Sequence, residues 1–353
     1  MNDKYDSGMT HHCRISRRSF VKISTSASLA ALAGVMASCA NRAAPTDRIR
    51  LAYFPNLTHA AALVGMQTGA FAKAAAAAGS TLDAKTFNAG PALIEALLAG
   101  EIDIGYVGPS PAINGYVRSS GKALKIIAGA SSGGALFVVR PGANIAAAQD
   151  LAGKKIATPQ RGGTQDIALR HYARANGLKT SDEGGDLTIV PTANPDILTL
   201  FKQEQIDGAW VPEPWGTRLL QEANGTLFLD ERSMWPDGKF ITTLIVVSTK
   251  FLDVQPALVR GIMKAHLGAL DLIRTNPEEA RSLANKEIER ITTKALPTKV
   301  IEAAFANVDF THEPLESSLF TQADYAFELG FLGKDKPDLK DIYDLRILNE
   351  ALR

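Results

Sequence analysis

The fold is decided by residues 100–111, GEIDIGYVGPSP, where a short apolar run ends at a glycine and a proline follows. Ile102 to Val107 has the length and apolar content of a buried strand. Pro109 suits the first position of a helix, because its ring presets φ and the first N–H groups of a helix have no intrahelical partner. The stretch therefore predicts a strand, a tight turn and a helix, the repeating unit of an α/β sheet.

The same alternation of apolar runs and amphipathic stretches continues on both sides of this stretch. Pro141-Gly142 interrupts it, and Asp150 opens a second series. Ala135 to Val139 and Ile241 to Val247 are extended segments about 100 residues apart, and each leads from one α/β unit to the other. We therefore expect two α/β lobes joined by a two-strand hinge. The first lobe comprises residues 48–139 and 241–353, and the second comprises residues 140–240.

Composition excludes several functional classes. The 353 residues carry a net charge of +1, but residues 1–38 hold five basic and two acidic side chains, which leaves about −2 for the rest. Nucleic-acid binding is not expected without a basic face. Both cysteines, Cys13 and Cys39, precede the lobes, and no two histidines of the lobes have metal-ligand spacing. We expect no metal, no cofactor and no catalytic set.

The first 47 residues are typical of an export address. Residues 16–22, SRRSFVK, precede a moderately apolar stretch that is too short for a membrane span, and together they resemble a twin-arginine signal. Residues 36–39, MASC, resemble a lipoprotein processing site with Cys39 as the lipidated residue. We expect a signal peptide over 1–38, a tether over 39–47, and a lipid-anchored protein in the periplasm or at the cell surface. The alternative is ordinary cleavage near Ala37, with Cys39 incidental.

Three phrases carry a resemblance to a known family: LAYFPNLTHA at 51–60, GEIDIGYVGPS at 100–110 and DGAWVPEPW at 207–215. The chain from about Arg48 onward resembles the periplasmic binding proteins for sulfonates, taurine and nitrate. The resemblance implies a type II periplasmic-binding fold with the ligand between the lobes. It also implies a monomeric, non-enzymatic receptor that serves an ABC permease and its ATPase subunit.

Strand-to-helix turns supply the candidate ligand contacts. In sheets of this kind ligands bind beyond the carboxyl ends of the strands, where helix N-termini present free N–H groups and partial positive charge. Each turn also has a structural interpretation, since glycines and cap threonines are common at ordinary junctions. The candidate ligand-binding residues are Asn56, Thr58, His59, Gly108, Pro109, Ser110, Ser131, Ser132, Gly133, Gly163, Thr164, Gln165, Glu213 and Trp215.

Three side chains near these turns have two interpretations each, and a fourth, Trp215, has one. Glu213 either meets a cationic group of the ligand or caps the helix that begins near Trp215. Trp215 suits an apolar wall for an alkyl or aryl group. His59 is either a donor to the ligand or a cover for its helix start, and Arg161 either pairs with an anion or is solvated.

The ligand itself stays open at this point. The expected solute is a small anion such as an aliphatic sulfonate or taurine, and the alternatives are nitrate, a thiamine-pyrimidine precursor or an aromatic acid. A pyrimidine-synthase-like enzyme on the same fold is a more distant alternative. Its cysteine-rich iron motif has no counterpart here, and an export signal is out of place for it. A sensor that docks on a signalling partner is a third class.

Overall fold

The structure of the chain is a computed structural model that describes residues 48–353. The predicted signal peptide, the tether and Cys39 lie outside the described residues. Within residues 48–353 no helix combines the length and the apolar character needed to cross a bilayer.

The first sheet has six strands in the order β11-β4-β10-β3-β1-β2. Strand β1 pairs in parallel with β2 and β3, whereas β10 runs antiparallel to both β3 and β4, and β11 runs antiparallel to β4. The strands are β1 (Arg48–Tyr53), β2 (Thr81–Thr86), β3 (Ile104–Val107), β4 (Leu124–Gly133), β10 (Ile241–Ser248) and β11 (Val308–Phe310). Alternation places Leu51 and Tyr53 of β1 in one core and Ala52 in the core on the opposite face.

The second sheet has five strands in the order β7-β6-β8-β5-β9. Strand β6 pairs in parallel with β7 and β8, and β5 runs antiparallel to β8 and β9. The strands are β5 (Ala135–Val139), β6 (Lys155–Thr158), β7 (Thr188–Pro191), β8 (Gly208–Pro212) and β9 (Thr226–Asp230). Trp210 of β8 is fully buried and stacks on Phe137 of β5, as expected of a core residue.

Helices cover both faces of each sheet, and each sheet separates two apolar cores. We call the first sheet with its helices the first lobe and the second sheet with its helices the second lobe. The helices are α1 (Ala60–Gln67), α2 (Ala70–Ala77), α3 (Gly90–Leu98), α4 (Pro109–Arg118), α5 (Thr164–Ala175), α6 (Asn194–Lys202), α7 (Trp215–Glu222), α8 (Thr249–Val254), α9 (Pro256–Thr275), α10 (Pro277–Thr292), α11 (Thr298–Ala306), α12 (Glu316–Glu328) and α13 (Arg346–Ala351).

Most predicted elements are present, with shifted ends and a few omissions. The helical stretch after β1 is divided into α1 and α2 because Gly69 adopts a left-handed conformation with φ of 70°. Strands β9 and β11 were not predicted. Both are edge strands whose residues are partly exposed, so they lack a clear apolar run.

The two crossings between the lobes differ from the predicted hinge. Ala135–Val139 belongs to the second sheet, so the chain leaves the first lobe one strand earlier than expected. The turn is made by Gly133 and Gly134, which both have positive φ, and a side chain on Gly134 would lie 2.6 Å from a methyl group of Val308. The return crossing runs through the turns after Asp230, and Ile241 already begins β10.

Candidate ligand-binding cleft

A cavity of about 40 Å³ lies between the lobes. One water needs roughly 10–15 Å³ of such space, so the cavity fits about three waters or the head group of a small solute. The first lobe contributes loops after β1, before α3 and after β3, and part of β10. The second lobe contributes the loop before α5, the first residues of α5 and α6, and the last residue of β8. The lining residues are Phe54, Asn56, Thr58, His59, Asn88, Ala89, Gly90, Gly108, Pro111, Pro159, Gln160, Gly163, Thr164, Gln165, Asn194, Pro212, Thr242 and Thr243.

Four helices begin at this cavity without a side-chain cap. The residues before α3, α4, α5 and α6 are Ala89, Gly108, Gly163 and Ala193, and none of them accepts an N–H bond through its side chain. Ser, Thr, Asp and Asn are the residues that normally satisfy these N–H groups. Prolines at the first or second position of α3, α4 and α6 carry no N–H. The uncapped N–H groups that remain in the first turns, and the positive ends of the helix dipoles, are available to a ligand.

His59 lies at the start of α1 with its ring against Phe54, and it is 2% exposed. Its Nδ1 accepts the backbone N–H of Phe54 at 3.3 Å, so the neutral ring carries its proton on Nε2. Burial lowers the pKa of His59 to about 3, which keeps the ring neutral near pH 7. Among the described residues Nε2 has no hydrogen-bond partner. His59 is therefore a neutral donor at the cavity wall.

The lobes lie close together at Gly108 and Thr164. Gly108 precedes α4 of the first lobe, and Thr164 begins α5 of the second. A Cβ atom on Gly108 would overlap the Thr164 hydroxyl oxygen and lie 3.4 Å from the Thr164 Cβ. The φ of Gly108 is −72°, which any residue can adopt. Space between the lobes, and not backbone conformation, is what requires glycine at this position.

Seven of the predicted contact residues line the cavity: Asn56, Thr58, His59, Gly108, Gly163, Thr164 and Gln165. The other seven do not. Ser131 donates to the Thr58 carbonyl at 2.8 Å, and Ser132 accepts the N–H of Phe240 at 3.2 Å. The Gly133 carbonyl accepts the Thr242 hydroxyl at 2.6 Å. Pro109 and Ser110 are buried in the first turn of α4 behind Gly108.

Glu213 caps a helix. Its fully buried carboxylate accepts the Thr217 N–H at 3.0 Å and the Thr217 hydroxyl at 2.8 Å, in the first turn of α7. It also accepts from the Asn307 amide of the first lobe at 2.6 Å. Burial raises the pKa of Glu213, and these three donors partly offset that effect. Of the two interpretations of Glu213, the geometry favours the cap.

Trp215 supports the cleft from behind the lining. Its Nε1 donates to Asn56 Oδ1 at 3.0 Å across the two lobes, and the Arg218 guanidinium lies 4.6 Å from the ring centroid. Trp215 therefore orients a lining residue and does not itself face the cavity. Arg161 is also absent from the lining, because it pairs with Asp182 at 2.6 Å on the surface.

Five polar residues of the lining were missed by sequence reasoning: Asn88, Gln160, Asn194, Thr242 and Thr243. Asn194 starts α6, and the two threonines interrupt the apolar run of β10. Asn194 Oδ1 and the Thr243 hydroxyl are buried and have no partner among the described residues. A polar pair inside an apolar strand was the available signal, because a buried polar atom without a partner is costly.

Among the described residues, those that line the cavity include no aspartate, glutamate, lysine or arginine. Within residues 48–353 no group of three or more His, Cys, Asp or Glu side chains is placed to hold a metal ion. The cavity can therefore offer neutral hydrogen-bond donors and acceptors, helix dipoles and a few apolar surfaces.

The chain is similar in sequence to known proteins over more than half of its length. The model of the NMT1-like family matches residues 42–287. The taurine-binding periplasmic protein of Escherichia coli K12 is 27% identical over 201 residues, which are 57% of this chain and 60% of that protein. The chain thus spans less than two thirds of that relative's length.

Two solved structures have the same fold. The alkanesulfonate-binding protein SsuA from Xanthomonas axonopodis pv. citri, bound to MOPS, aligns with a TM-score of 0.67 and 21% identity, over 83% of this chain and 96% of its own. The periplasmic nitrate-binding protein NrtA from Synechocystis PCC 6803 aligns with a TM-score of 0.68 and 15% identity, over 87% and 88%. The expected α/β fold of periplasmic-binding type is confirmed.

Proposed function

The chain belongs to the NMT1-like family, and we propose that it is the substrate-binding component of an ABC importer. It captures a small anionic solute, of the aliphatic sulfonate or taurine type, in the cavity between its lobes. It performs no bond-making chemistry and delivers the solute to a permease and its ATPase subunit. The names of the taurine-binding relative and of the two structural neighbours support this class of function.

The observation that carries the proposal is the convergence of four uncapped helix N-termini on one cavity. Each N-terminus offers at least one N–H group and up to about half a positive charge, so together they stabilise an oxyanion without a cationic side chain. The neutral Nε2–H of His59 adds one further donor at the same wall. A neutral solute would accept hydrogen bonds here but would gain less from the helix dipoles than an anion does.

Capture is coupled to closure in this proposal. The lining residues come from both lobes, and the lobes are joined at Gly133-Gly134 and by the turns after Asp230. A solute that contacts both lobes favours the closed arrangement by its differential affinity for it. We accordingly keep the division into two lobes, with the first crossing moved to Gly134.

Location follows from the first 47 residues, which lie outside the described part of the chain. We propose export by the twin-arginine route and lipid attachment at Cys39, so that a monomeric receptor stays near its permease. The paired arginines Arg17 and Arg18 and the small residues before Cys39 support this.

Titration calorimetry on the full chain tests the ligand class. Ethanesulfonate, taurine and nitrate are the anionic probes, benzoate represents aromatic acids, and a neutral aminopyrimidine represents the pyrimidine precursors. At least one sulfonate should bind and, at 100 times its Kd, stabilise the fold by about 2.7 kcal/mol. Binding of the aminopyrimidine alone would instead identify a receptor for a neutral precursor.

A further inference from the structure

We propose that the cleft selects anions that carry no ammonium group, so that taurine and other zwitterions are poor ligands. This inference rests on the proposed function and narrows its ligand class. It separates this chain from the taurine-binding relative, with which it shares 27% identity.

Within residues 48–353, no carboxylate is available to pair with an ammonium inside the cavity. Two carboxylates lie next to lining residues in the chain, Glu213 beside Pro212 and Asp166 beside Gln165. Glu213 is held by Thr217 and Asn307, as described above.

Asp166 is equally committed to protein donors. Its fully buried carboxylate accepts the Gly162 N–H at 2.8 Å and the Arg170 Nε–H at 3.1 Å, and its other oxygen accepts the Thr158 hydroxyl at 3.3 Å. Both neighbouring carboxylates therefore serve to organise the turns that carry lining residues.

The groups that attract an anion also repel an ammonium. In a cavity of about 40 Å³ the two charged ends of taurine, two carbons apart, would both lie in the positive field of the helix N-termini. An ammonium taken out of water without a counter-charge costs several kcal/mol. Nδ1 of His59 cannot accept from it, because that nitrogen already accepts the Phe54 N–H.

A neutral hydroxyl meets no such obstacle. The Asn194 Oδ1 and Thr243 Oγ1 atoms are neutral polar groups of lining residues that have no partner among the described residues. They can satisfy a single O–H donor without compensating a full charge. The cavity therefore distinguishes a hydroxyl from an ammonium at the same position of the solute.

Isethionate and taurine form a matched pair for the experiment, since they differ only in a hydroxyl in place of the ammonium. Calorimetry on the full chain at pH 7 should give a Kd for isethionate at least 100-fold lower than that for taurine. Asn194→Asp introduces an isosteric carboxylate into the lining and should reduce this ratio at least tenfold. Gln165→Glu repeats the test at another lining residue of the second lobe in case the first variant unfolds, which thermal denaturation detects.

The outcomes separate the inference from the function. Taurine binding as tightly as isethionate would overturn the selectivity but leave anion capture intact. Failure of every sulfonate and of nitrate, with binding of the aminopyrimidine, would overturn the proposed function and this inference with it.

Discussion

Replacing Gly108 by alanine should impair ligand binding while leaving the fold stable. The added Cβ overlaps the Thr164 hydroxyl only when the lobes are as close as they are here, since Gly108 and Thr164 belong to different lobes. Its φ of −72° suits alanine, so the substitution introduces no backbone strain. An open arrangement has room for the methyl group.

The size of the effect follows from the overlap. Inserting a methyl group into closely packed space costs about 1–3 kcal/mol, which corresponds to affinity reduced by about 5- to 150-fold. Two responses are available to the protein: the lobes stay further apart, or Thr164 rotates its hydroxyl away from the cavity. Either response removes contacts from the solute.

A double-mutant cycle on the full chain measures this coupling. Calorimetry with the best-binding sulfonate compares the wild type, Gly108→Ala, Thr164→Ala and the double variant. The Thr164→Ala change deletes the overlapping oxygen and leaves the new Cβ 3.4 Å from Cβ of residue 164, an ordinary contact. The Gly108 substitution should therefore cost much less in the Thr164→Ala background than in the wild type.

Gly268→Ala is the matched control, because a Cβ at that position has no neighbour within 4 Å. It should keep wild-type affinity. Small-angle scattering on the same proteins should show less ligand-induced compaction for Gly108→Ala. Wild-type affinity and full compaction in Gly108→Ala would show that Gly108 and Thr164 are not in close contact when the ligand is bound.

Three further changes test other parts of the structure. Glu213→Gln should lower the melting temperature by several degrees, because a buried cap worth about 1–3 kcal/mol is weakened. It should not alter the ratio of the Kd values for isethionate and taurine, and a changed ratio would show that Glu213 contacts the ligand. Burial raises the pKa of Glu231 to about 7, so the native state holds this proton more tightly than the unfolded chain does. The free energy of unfolding should therefore fall as pH rises from about 4.5 to 7, by on the order of 3 kcal/mol. Glu231→Gln should remove that fall in denaturation experiments at pH 5 and pH 8, and an equal fall in both proteins would contradict the shift. Lysine replacement of Arg17 and Arg18 should leave precursor in the cytoplasm, and Cys39→Ala should abolish lipid labelling; persistent labelling would exclude the anchor.

Half of the contact residues predicted from the sequence line the cavity. Turns that follow a buried strand and precede a helix, such as those at Gly108 and Gly163, are local signals, and both residues line the cavity. The sequence did not identify Asn194 as a contact residue, because a lone asparagine before Pro195 is typical of any helix start. The sequence did not identify Thr243 either, because strand periodicity does not indicate which buried polar residue faces a ligand.

The role of Glu213 could not be decided from the sequence. Its position between two prolines suggested either a ligand contact or a cap, and nothing in the local sequence separates them. The direction of its side chain depends on Thr217 in the next turn and on Asn307, 94 residues away. Only packing of the two lobes brings the second of these donors to the carboxylate.

Local sequence patterns were sufficient for the α/β class, for most strands and helices, and for the family resemblance, because strand alternation and helix starts depend on residues a few positions apart. The partner of Ala135–Val139 required the tertiary structure. An apolar run pairs equally well with either sheet, and the choice is made by the turn at Gly133-Gly134 and by β8, more than 60 residues later. The neutral character of the cavity was likewise decided in three dimensions, since the two carboxylates beside the lining accept from other elements, Asp166 from Thr158 of β6 and Glu213 from Asn307.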